Sequence, residues 1–490
     1  MPIGKPASTS RQTAGWAAPA GSIKRAAVLA LCLLTLAPGC TQGPTAHTTA
    51  PSGKPTPPPV EPSSSSVERS PSQVELVASL DMPSSRVLVD LTMPRPQAGL
   101  FRLSFRDLDT IRDRLKSMSV KADGRPLATQ KTSGNWDFQF EVPQKTQVLS
   151  ISYSIDPRWS APGSSHADAK SQRSYVRDYG AILRGCVVFP RIDPQTGPLR
   201  VTFVLPQGWT AVVPWEKSDA GYLVEPSALS DDYVALGRFD LEELQVAGSP
   251  VTLAVWAGLG QKNESKFGTG ELRKLVAWLV KTLGPLPSGG RSIAAFPSEY
   301  LGGGAASAGT VVTALSARTM AHEIVHWWNG WTFKTARDAT WLGEGVTDYL
   351  APKALWKAGV WSKKQFESEI RAYATGLKTL ELRENKCFSL GEASENYWKE
   401  NSPWHAVVYQ KGALLGLVID AAIHEASRGK QSIETVIAAL CAGRSQAVTT
   451  SNIEDAALRV TGVDIGPLVD RYVRKAAAIP DIEALLKSIR

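Results

Sequence analysis

The chain has 490 residues, more than one typical hydrophobic core accommodates, and this length predicts two or three domains. Hydrophobic residues make up 43% of the chain and charged residues 20%, values that are typical of a globular protein. Half of the formal net charge of +8 comes from the stretch before Cys40, which contains no acidic residue. The remaining charge is too mild and too unclustered to indicate binding to nucleic acid.

The start of the chain has the features of an export signal. Lys24 and Arg25 precede an apolar run over residues 26–40, with the sequence AAVLALCLLTLAPGC. The run is too short to span a bilayer, and its length fits the core of a signal peptide. Its end, LAPGC, resembles a bacterial lipobox, whose cysteine is lipidated and becomes the new N-terminus. We therefore predict a lipoprotein signal peptide over residues 1–40 with lipidation of Cys40. Ordinary secretion with cleavage nearby is the alternative.

This prediction implies an exported protein that contacts a membrane of the cell envelope through an N-terminal lipid anchor. Gln42, two residues after Cys40, differs from the aspartate that often marks retention at the inner membrane, which favours the outer membrane of a Gram-negative cell. Residues 41–75 are rich in Pro, Ser and Thr and contain few apolar residues. Such a segment cannot bury a core, so we predict a disordered linker between the anchor and the folded body.

Residues 76–256 show the apolar pattern of β-strands. Short stretches such as SRVLVDLTM and WDFQFEV alternate apolar and polar residues, and ADGRP provides a turn between strands. We find no motif for chemistry in this half of the chain. We predict an N-terminal β-sandwich-like domain that supports the remainder of the protein.

The apolar period changes to that of helices near residue 270. GELRKLVAWLVKTLG places its apolar residues on one helical stripe, and a strand-like SIAAFPSEYL, a glycine run and a strand-like TVVTAL follow. Three further helices are then predicted, the first of them over SARTMAHEIVHWW with Ser316 as its N-cap. We predict a second domain over residues 257–425 and a C-terminal helical region over residues 426–490.

The sequence AHEIVH raises the possibility of a metal site, because His322 and His326 are four residues apart and Glu323 follows the first histidine. Residues four apart share one face of an α-helix, so both imidazoles can bind a single ion. Glu323 is rotated by about 100° from His322, and its carboxylate flanks the ion without needing to bind it. That is where a general base belongs in a zinc hydrolase. The alternative is a helix that carries two unrelated histidines.

Catalytic zinc needs a third protein ligand and an open fourth position. Downstream, WLGEGVTDYL supplies Glu344, and the 17 residues between His326 and Glu344 suffice to end one helix and start another beside it. Asp348 lies one helical turn further along. Because an imidazole ligand usually donates its other N–H to a carboxylate, Asp348 is the candidate partner of His322. We therefore predict one Zn²⁺ held by His322, His326 and Glu344, with Asp348 orienting the first ligand.

The remaining cysteines and tryptophans are expected to have structural roles. Cys32 and Cys40 fall in the signal segment, and the other cysteines allow at most one disulfide and do not resemble a metal site: Cys186, Cys387 and Cys441. Four tryptophans around the histidine motif are expected to pack the core under the site, with one or two of them lining a pocket: Trp327, Trp328, Trp331 and Trp341.

HEIVHWWNGW followed by WLGEGVTDYL resembles the gluzincin metallopeptidases, and within them the aminopeptidase N and glycyl aminopeptidase families. VVYQKGALLGLVID is similar to the Tyr-x-Lys-Gly-Ala helix of the aminopeptidase N family, which implies that Tyr409 stabilises an oxyanion. The C-terminal region is similar to the helical tail of the glycyl aminopeptidase family. The resemblance implies a thermolysin-like zinc catalytic domain over residues 257–425 in an α+β multidomain protein.

The reaction implied by the resemblance is hydrolysis of a peptide bond in a peptide or protein substrate. Zinc polarises the scissile carbonyl and lowers the pKa of water to near 7. Glu323 takes a proton from the water and passes it to the leaving amine. Tyr409 donates to the oxyanion, an effect of about 2.7–4 kcal/mol. His405, one turn before Tyr409, is a candidate substrate contact, and packing against its neighbours is the alternative.

One departure from these families concerns the substrate's free amino group. The families bind that group with an acidic residue in a glycine-rich strand, but YLGGGAASAGTVV has no Asp or Glu between Gly302 and Val312. Gly303 and Gly304 still allow a peptide backbone to approach and pair with the strand. We therefore expect an enzyme that does not strictly need a free α-amine, and the choice between exopeptidase and endopeptidase stays open.

An alternative from another class is a surface lipoprotein that uses the peptidase fold as an idle binding module. The missing acidic residue favours this alternative. Glu323 opposes it, because a binding module has no need of a base beside a metal. A hydrolase that acts on a non-peptide substrate is a third interpretation.

Overall fold

The computed structural model describes residues 73–105, 114–132, 137–158, 174–194, 196–246, 248–257, 268–399, 403–443 and 447–489. The predicted signal peptide, with Cys40, and residues 41–72 of the predicted linker lie outside these residues. The linker is predicted to extend to residue 75, but the first described strand already begins at Val74, where apolar residues start to alternate with polar ones.

Alternating apolar residues form the strands of the first half of the chain. Along Arg86–Pro94, every second side chain is buried and the others are exposed or half-buried, as expected for a strand with one face on a core. The described strands are β1 (Val74–Asp81), β2 (Arg86–Pro94), β3 (Gly99–Ser104), β4 (Leu115–Ala122), β5 (Arg125–Pro126), β6 (Gln130–Lys131), β7 (Phe138–Val142), β8 (Val148–Ile155), β9 (Tyr175–Arg177), β10 (Gly180–Arg184), β11 (Arg191–Asp193), β12 (Leu199–Val204), β13 (Thr210–Val212), β14 (Glu216–Ser218), β15 (Gly221–Val224), β16 (Tyr233–Gly237), β17 (Phe239–Val246), β18 (Ser249–Trp256), β19 (Arg291–Phe296), β20 (Gly304–Ala306) and β21 (Thr310–Ala314).

The strands from β1 to β16 form three sheets. Their spatial orders are β14-β15-β12-β1-β2-β8-β4-β5, β11-β3-β7-β6 and β13-β16-β10-β9. One hydrophobic core joins side chains from all three sheets. Because the sheets share one core, this half of the chain has the character of a β-sandwich.

The sheet formed by β13, β16, β10 and β9 is buried on both faces. Ala181 and Leu183 of β10 belong to the core of the sandwich, whereas Ile182 between them packs against side chains of β19 and β21. This alternation is the two-residue period of a strand, and it attaches the sandwich to the following sheet.

A fourth sheet, in the order β17-β18-β19-β21-β20, forms the base of the second half. β19 pairs in parallel with both β18 and β21, and every residue of β19 and of β21 is buried. The predicted domain boundary at residue 256 falls inside this sheet, because β17 and β18 hydrogen-bond with the strands that follow rather than with the sandwich. The glycine run forms β20, the short strand at the edge of the described sheet.

Helices cover this sheet and continue to the C-terminus. The described α-helices are α1 (Gly185–Val188), α2 (Pro226–Asp231), α3 (Thr269–Leu283), α4 (Ala317–Val325), α5 (Thr347–Lys357), α6 (Lys363–Glu384), α7 (Leu390–Glu395), α8 (Trp404–Ala426), α9 (Ile433–Ala442), α10 (Thr450–Thr461), α11 (Gly466–Val469) and α12 (Ile482–Ser488). A 3₁₀ turn spans Arg337–Ala339, and π-helical segments span Trp341–Val346 and Asp470–Arg474.

The central helix of the second half is α8. It is long and apolar enough to cross a membrane, but 78% of its most apolar stretch is buried inside the fold, so it packs here as a core helix. One large hydrophobic core joins its side chains with those of the fourth sheet and of the helices around it. None of the three described cysteines forms a disulfide.

These features define an α+β protein with a β-sandwich-like first half, a mixed sheet covered by helices, and a helical C-terminal region. The predicted fold class is therefore confirmed. The helix predicted over WLGEGVTDYLAPKALW differs in its first turn, which is π-helical from Trp341 to Val346 before α5 begins.

Candidate active site

Helix α4 brings the two histidines of the motif together. The Ser316 hydroxyl caps the helix and accepts a hydrogen bond from the Thr319 amide at 3.5 Å. His322 and His326 then lie one turn apart on the same face, and their Nε2 atoms are 3.1 Å from each other. The sequence spacing thus places two ring nitrogens at one point.

The chain turns sharply after His326, and this turn orients its ring. His326 Nδ1 donates to the carbonyl oxygen of Asn329 at 2.9 Å. Asn329 is fully buried, and its amide donates to the Leu342 carbonyl at 2.8 Å and to the Thr347 hydroxyl at 2.9 Å. Gly330 has a φ of +149°, and a Cβ there would lie 3.2 Å from His326 Nδ1, so the turn requires glycine. Asn329 therefore connects the end of α4 to the segment that carries Glu344.

Glu344 lies on the π-helical segment at the start of the second helix. Its Oε2 atom is 3.5 Å from Nε2 of His322 and 3.5 Å from Nε2 of His326. A π-helical turn inserts one residue into a helix and redirects a side chain, and such turns are frequent at functional sites. Glu344 therefore meets the two imidazoles from a neighbouring element.

A close contact between two glycines brings Tyr409 to the same point. A Cβ on Gly345 would lie 2.6 Å from the Gly412 Cα and 2.4 Å from the Val408 carbonyl oxygen, so the π-helical segment and α8 touch backbone to backbone. Across this contact, the Tyr409 hydroxyl donates to Oε2 of Glu344 at 2.9 Å. Gly412, which follows Lys411 in the sequence, therefore sets the distance between the Glu344 carboxylate and the Tyr409 phenol.

The three converging atoms have the chemistry of a metal-binding set. Each imidazole donates a hydrogen bond through Nδ1, so in the neutral form its Nε2 atom is an acceptor. Nε2 of His322 and Nε2 of His326 face one another and a carboxylate oxygen of Glu344. A tetrahedral zinc ion with bonds of about 2.0–2.1 Å separates its ligand atoms by roughly 3.3 Å. The separations of 3.1, 3.5 and 3.5 Å agree with that geometry, so these residues fit zinc.

Electrostatics at these residues favour a cation. Burial lowers the pKa of His322, but the charge and hydrogen bond of Asp348 and the hydrogen bond of Glu344 outweigh burial and raise the pKa to about 10. His326 also has a raised pKa, because Glu344 outweighs the opposing effect of burial. Burial raises the pKa of Glu344, yet the two imidazoles hold it well below its ordinary value. Positive charge is thus stabilised here, and a divalent cation competes with the protons for the imidazoles.

Asp348 orients His322 and is itself held in place by Arg318. Its Oδ1 atom accepts from His322 Nδ1 at 2.7 Å, and its Oδ2 atom accepts from Arg318 at 2.9 Å. The Arg318 guanidinium also donates to the Tyr373 hydroxyl at 2.8 Å and pairs with Glu369 at 2.6 Å. Asp348 is only 3% exposed, so this network fixes the carboxylate and, through it, the ring of the first histidine.

Glu323 is a residue of α4, and its side chain faces the edge strand β20. It is 7% exposed, and a Cβ on Gly304 would lie 2.5 Å from its Cγ and 2.7 Å from its Oε1. Gly304 therefore leaves the space that the Glu323 carboxylate occupies. A Cβ on Gly303 would meet no atom within 4 Å.

These groups open into a cavity of about 980 Å³. Gly303 and Gly304 line the cavity on one side, and Tyr409 lines it on another. Arg184 and Tyr233 reach the cavity from the sandwich half, so the cavity lies where the two halves of the folded body meet.

His405 differs from its predicted position at the substrate. It is exposed and is not among the described residues that line the cavity. Its ring packs against Tyr397 at 4.4 Å between centroids. The Tyr397 ring packs against the first turns of α8, next to both His405 and Tyr409. The His405 ring therefore contacts Tyr397 instead of lining the cavity.

The tryptophans divide into core and cavity. Trp327, Trp328 and Trp341 are fully buried, whereas Trp331 lines the cavity and donates its indole N–H to the Ala306 carbonyl at 3.3 Å.

Sequence reasoning missed three residues of the site: Asn329, Arg318 and Tyr397. The asparagine lies within HEIVHWWNGW, and its position directly before a glycine was the available signal for a tight turn. The contacts of Arg318 and of Tyr397 join separate elements and leave no local pattern.

Comparison with known proteins supports the fold. No model of a known protein family matches the sequence, and no curated protein matches it. Among solved structures, an aminopeptidase N family protein from Idiomarina loihiensis is similar, with a TM-score of 0.67 and 15% identity over 85% of this chain and 78% of the other.

Two structures of an M1 zinc metallopeptidase from Deinococcus radiodurans are also similar. A variant bound to a Tyr-Ser-Ala substrate has a TM-score of 0.56 and 15% identity, over 84% of this chain and 95% of the other. Another structure of the enzyme has a TM-score of 0.54, with the same identity and coverage. The chain therefore has the fold of the M1 gluzincin metallopeptidases, as the motif resemblance implied.

Proposed function

We propose that this chain is an exported zinc metallopeptidase that hydrolyses peptide bonds. The observation that carries the proposal is the convergence of His322, His326 and Glu344 on one point, with the carboxylate of Glu323 on the adjoining side of the same helix. The similar fold of zinc metallopeptidases supports the proposal. His322, His326 and Glu344 would hold one zinc ion, and Glu323 lies where a base is needed.

When bound, zinc supplies a Lewis acid that polarises a carbonyl oxygen and makes water acidic enough to lose a proton near neutral pH. Glu323 accepts that proton and transfers it to the leaving amine. Burial of Glu323 against Gly304 holds the carboxylate in one position, which favours proton transfer over a fixed distance. Asp348 keeps the proton of His322 on Nδ1, so that Nε2 stays available as a ligand atom.

Tyr409 is the proposed donor to the oxyanion. Its hydroxyl lines the cavity and lies 2.9 Å from Oε2 of Glu344, so a carbonyl oxygen near the ligand set comes within reach of the same proton. A well-placed donor of this kind contributes about 2.7–4 kcal/mol to transition-state stabilisation.

The substrate backbone is proposed to pair with β20. This strand lies at the edge of the described sheet, and Gly304 within it and Gly303 just before it line the cavity without side chains that would block a peptide. Of the described residues from Leu301 to Ala306 that line the cavity, none carries a carboxylate, and the charged group contributed by the sandwich half is Arg184. The described stretch beside β20 therefore supplies no carboxylate for a free α-amine, and the carboxylates that line the cavity belong to Glu323, Glu344 and Asp348.

The proposal for location rests on the sequence of the first 40 residues. Export would be followed by lipidation of Cys40, and the segment up to residue 72 would tether the folded body to the envelope. Substitution of Cys40 by Ala, followed by fractionation and labelling with a lipid analogue, tests this. The lipoprotein proposal predicts that the label and membrane association are lost together, and labelling of the variant would contradict it.

Metal analysis with a matched variant tests the catalytic proposal. We expect one zinc per chain in the purified protein and in Glu323→Gln, hydrolysis of a peptide library by the wild type, and loss of hydrolysis in the variant. Zinc retention without hydrolysis in the wild type would instead favour the idle binding module. Hydrolysis at the wild-type rate in Glu323→Gln would contradict the assignment of the base.

Acetylation of the substrate tests the absence of an amine anchor. Turnover of one peptide is compared with turnover of the same peptide after N-terminal acetylation. We expect turnover to persist on the acetylated peptide, and complete loss would show that the free amine is required.

A further inference from the structure

A second phenol lies against Tyr409. The hydroxyl groups of Tyr397 and Tyr409 are 3.0 Å apart, and the Tyr409 hydroxyl donates to Oε2 of Glu344 at 2.9 Å. A phenol has one proton, and an ionised carboxylate can only accept. Because Tyr409 gives its proton to Glu344, the proton between the two phenols belongs to Tyr397.

Tyr397 is held in place by the turn that follows α7. The residue is 4% exposed, its ring packs on His405, and its backbone N–H donates to the Ser394 carbonyl at 3.3 Å. The hydroxyl of Ser394 in turn accepts from the Trp341 amide at 3.1 Å, at the first residue of the π-helical segment that carries Glu344. One short helix thus contacts both the backbone that positions the carboxylate and the phenol beside it.

Lys411 attaches the other end of α7. Its ammonium group is fully buried and donates to the carbonyl oxygens of Phe388, just before α7, and of Ala477, the latter at 2.7 Å. Lys411 lies two residues after Tyr409, so α7 is joined to α8 once through this lysine and once through the pair of phenols. Two separate contacts therefore set the position of Tyr397 relative to Tyr409.

We propose that Tyr397 is a positioning residue that orients and polarises Tyr409 for its role as donor to the oxyanion; this inference rests on the proposed peptidase function. As negative charge develops on the substrate carbonyl, the Tyr409 hydroxyl turns from Glu344 to that oxygen. Tyr397 continues to donate to the Tyr409 oxygen throughout. Hydrogen bonds in series strengthen one another in a buried site, so the Tyr397 hydroxyl makes Tyr409 a better donor.

A cycle of two substitutions tests this inference with zinc-loaded protein and a peptide that the wild type cleaves. Tyr397→Phe keeps the ring and removes the hydroxyl, and we expect kcat to fall about tenfold, the loss of one hydrogen bond in a buried network, with KM changed less than about twofold. Tyr409→Phe lowers kcat by about 100- to 1000-fold. The double variant has the kcat of Tyr409→Phe alone, because Tyr397 acts only through Tyr409.

Tyr222→Phe is the matched control. Its hydroxyl donates to the Ala211 carbonyl at 3.2 Å in the sandwich half and is not among the described groups that line the cavity, so we expect wild-type kcat. Zinc content and the thermal midpoint are measured for all variants, and we expect both to be unchanged in Tyr397→Phe.

The outcomes separate this inference from the proposed function. An active wild type whose kcat is unchanged in Tyr397→Phe overturns the inference alone. The inference is also overturned if the kcat of the double variant lies about tenfold below that of Tyr409→Phe. It is likewise overturned if kcat falls together with the zinc content or the thermal midpoint. Each of these results indicates a structural role. A zinc-loaded wild type that cleaves no peptide overturns the proposed function and this inference with it.

Discussion

Two groups of buried charged side chains lie a few turns apart around α5, and they differ in whether donors meet acceptors. In the group around Lys353, the ammonium donates to Asp420 at 2.5 Å and to Glu434 at 2.7 Å, and the Tyr349 hydroxyl also donates to Asp420. In the group around Glu344, the nitrogen and oxygen atoms that face one another are all hydrogen-bond acceptors when the imidazoles are neutral and the carboxylate is ionised. The first group carries its own cation, whereas the second has the composition of a site for one.

This difference shows that burial of charge alone does not identify a functional site. Lys353 and Asp420 are as deeply buried as His322, yet their hydrogen bonds are satisfied within the protein. What marks the ligand set is a surplus of acceptors at the edge of a cavity.

Lys353→Met should destabilise the fold without affecting the metal. Removal of the ammonium leaves two buried carboxylates without their partner, which costs about 3–5 kcal/mol. Denaturant unfolding measures the free energy, and zinc content should stay at the wild-type value. A variant that loses zinc while keeping its stability would contradict the separation of the two groups.

The same lysine gives a pH dependence. Burial lowers the pKa of Lys353, but Glu434 and Asp420 outweigh burial and raise the pKa above its ordinary 10.5. Because the folded pKa exceeds the unfolded one, this contribution is complete below pH 10.5 and is lost as the pH rises through the folded value. Comparison of unfolding free energies of the wild type and Lys353→Met as the pH rises above 10.5 should show the two curves converging.

Glu344→Ala should have the opposite selectivity, with the metal lost and the fold kept. Loss of a partner of a ligand costs 10- to 100-fold in metal affinity, and we expect loss of the ligand itself to cost more than about 100-fold. Competition with a chelating indicator measures the affinity. Wild-type affinity in Glu344→Ala would remove this residue from the ligand set.

Gly304→Ala should remove activity by displacing the base, because the new Cβ would lie 2.5 Å from the Cγ of Glu323. A misplacement of about 1 Å costs on the order of 100-fold in rate. Gly270→Ala is the matched control, since a Cβ there meets no atom within 4 Å and Gly270 is not among the described residues that line the cavity. Equal losses of kcat in the two variants would show that the effect is not exerted through Glu323.

Asp348→Asn should have the smallest effect of the set. The amide can still lie near His322 Nδ1 but carries no charge, so zinc affinity should fall by about 10- to 100-fold. Dissociation constants measured beside those of Glu344→Ala check the order. An equal or larger loss in Asp348→Asn would indicate that Asp348 itself binds the ion.

Local spacing explains how much of the site could be predicted from the sequence. A helical repeat fixes the relation between His322 and His326, and Glu344 and Asp348 follow four residues apart, so the choice of these four residues follows from local spacing. The strands could be predicted from alternation in the same way. The assignment of β17 and β18 to the sheet of the second half could not, because tertiary pairing decides which strands lie side by side.

Other parts of the site depend on contacts between distant segments. The phenol pair joins Tyr397 and Tyr409 across a gap in the chain, and the contact of Gly345 with Gly412 is made between helices. The π-helical turn that aims Glu344 depends on that packing as well. His405 shared the expected helical face with Tyr409, but the Tyr397 ring lies against it, which periodicity cannot reveal.

Diffraction from crystals grown with zinc, recorded on both sides of the zinc absorption edge, is the most decisive test of the proposed metal site. We expect one anomalous peak at bonding distance, about 2.0–2.2 Å, from Nε2 of His322, Nε2 of His326 and the carboxylate of Glu344. A peak that lies away from any of these three atoms, or no peak between them in zinc-saturated crystals, would contradict it.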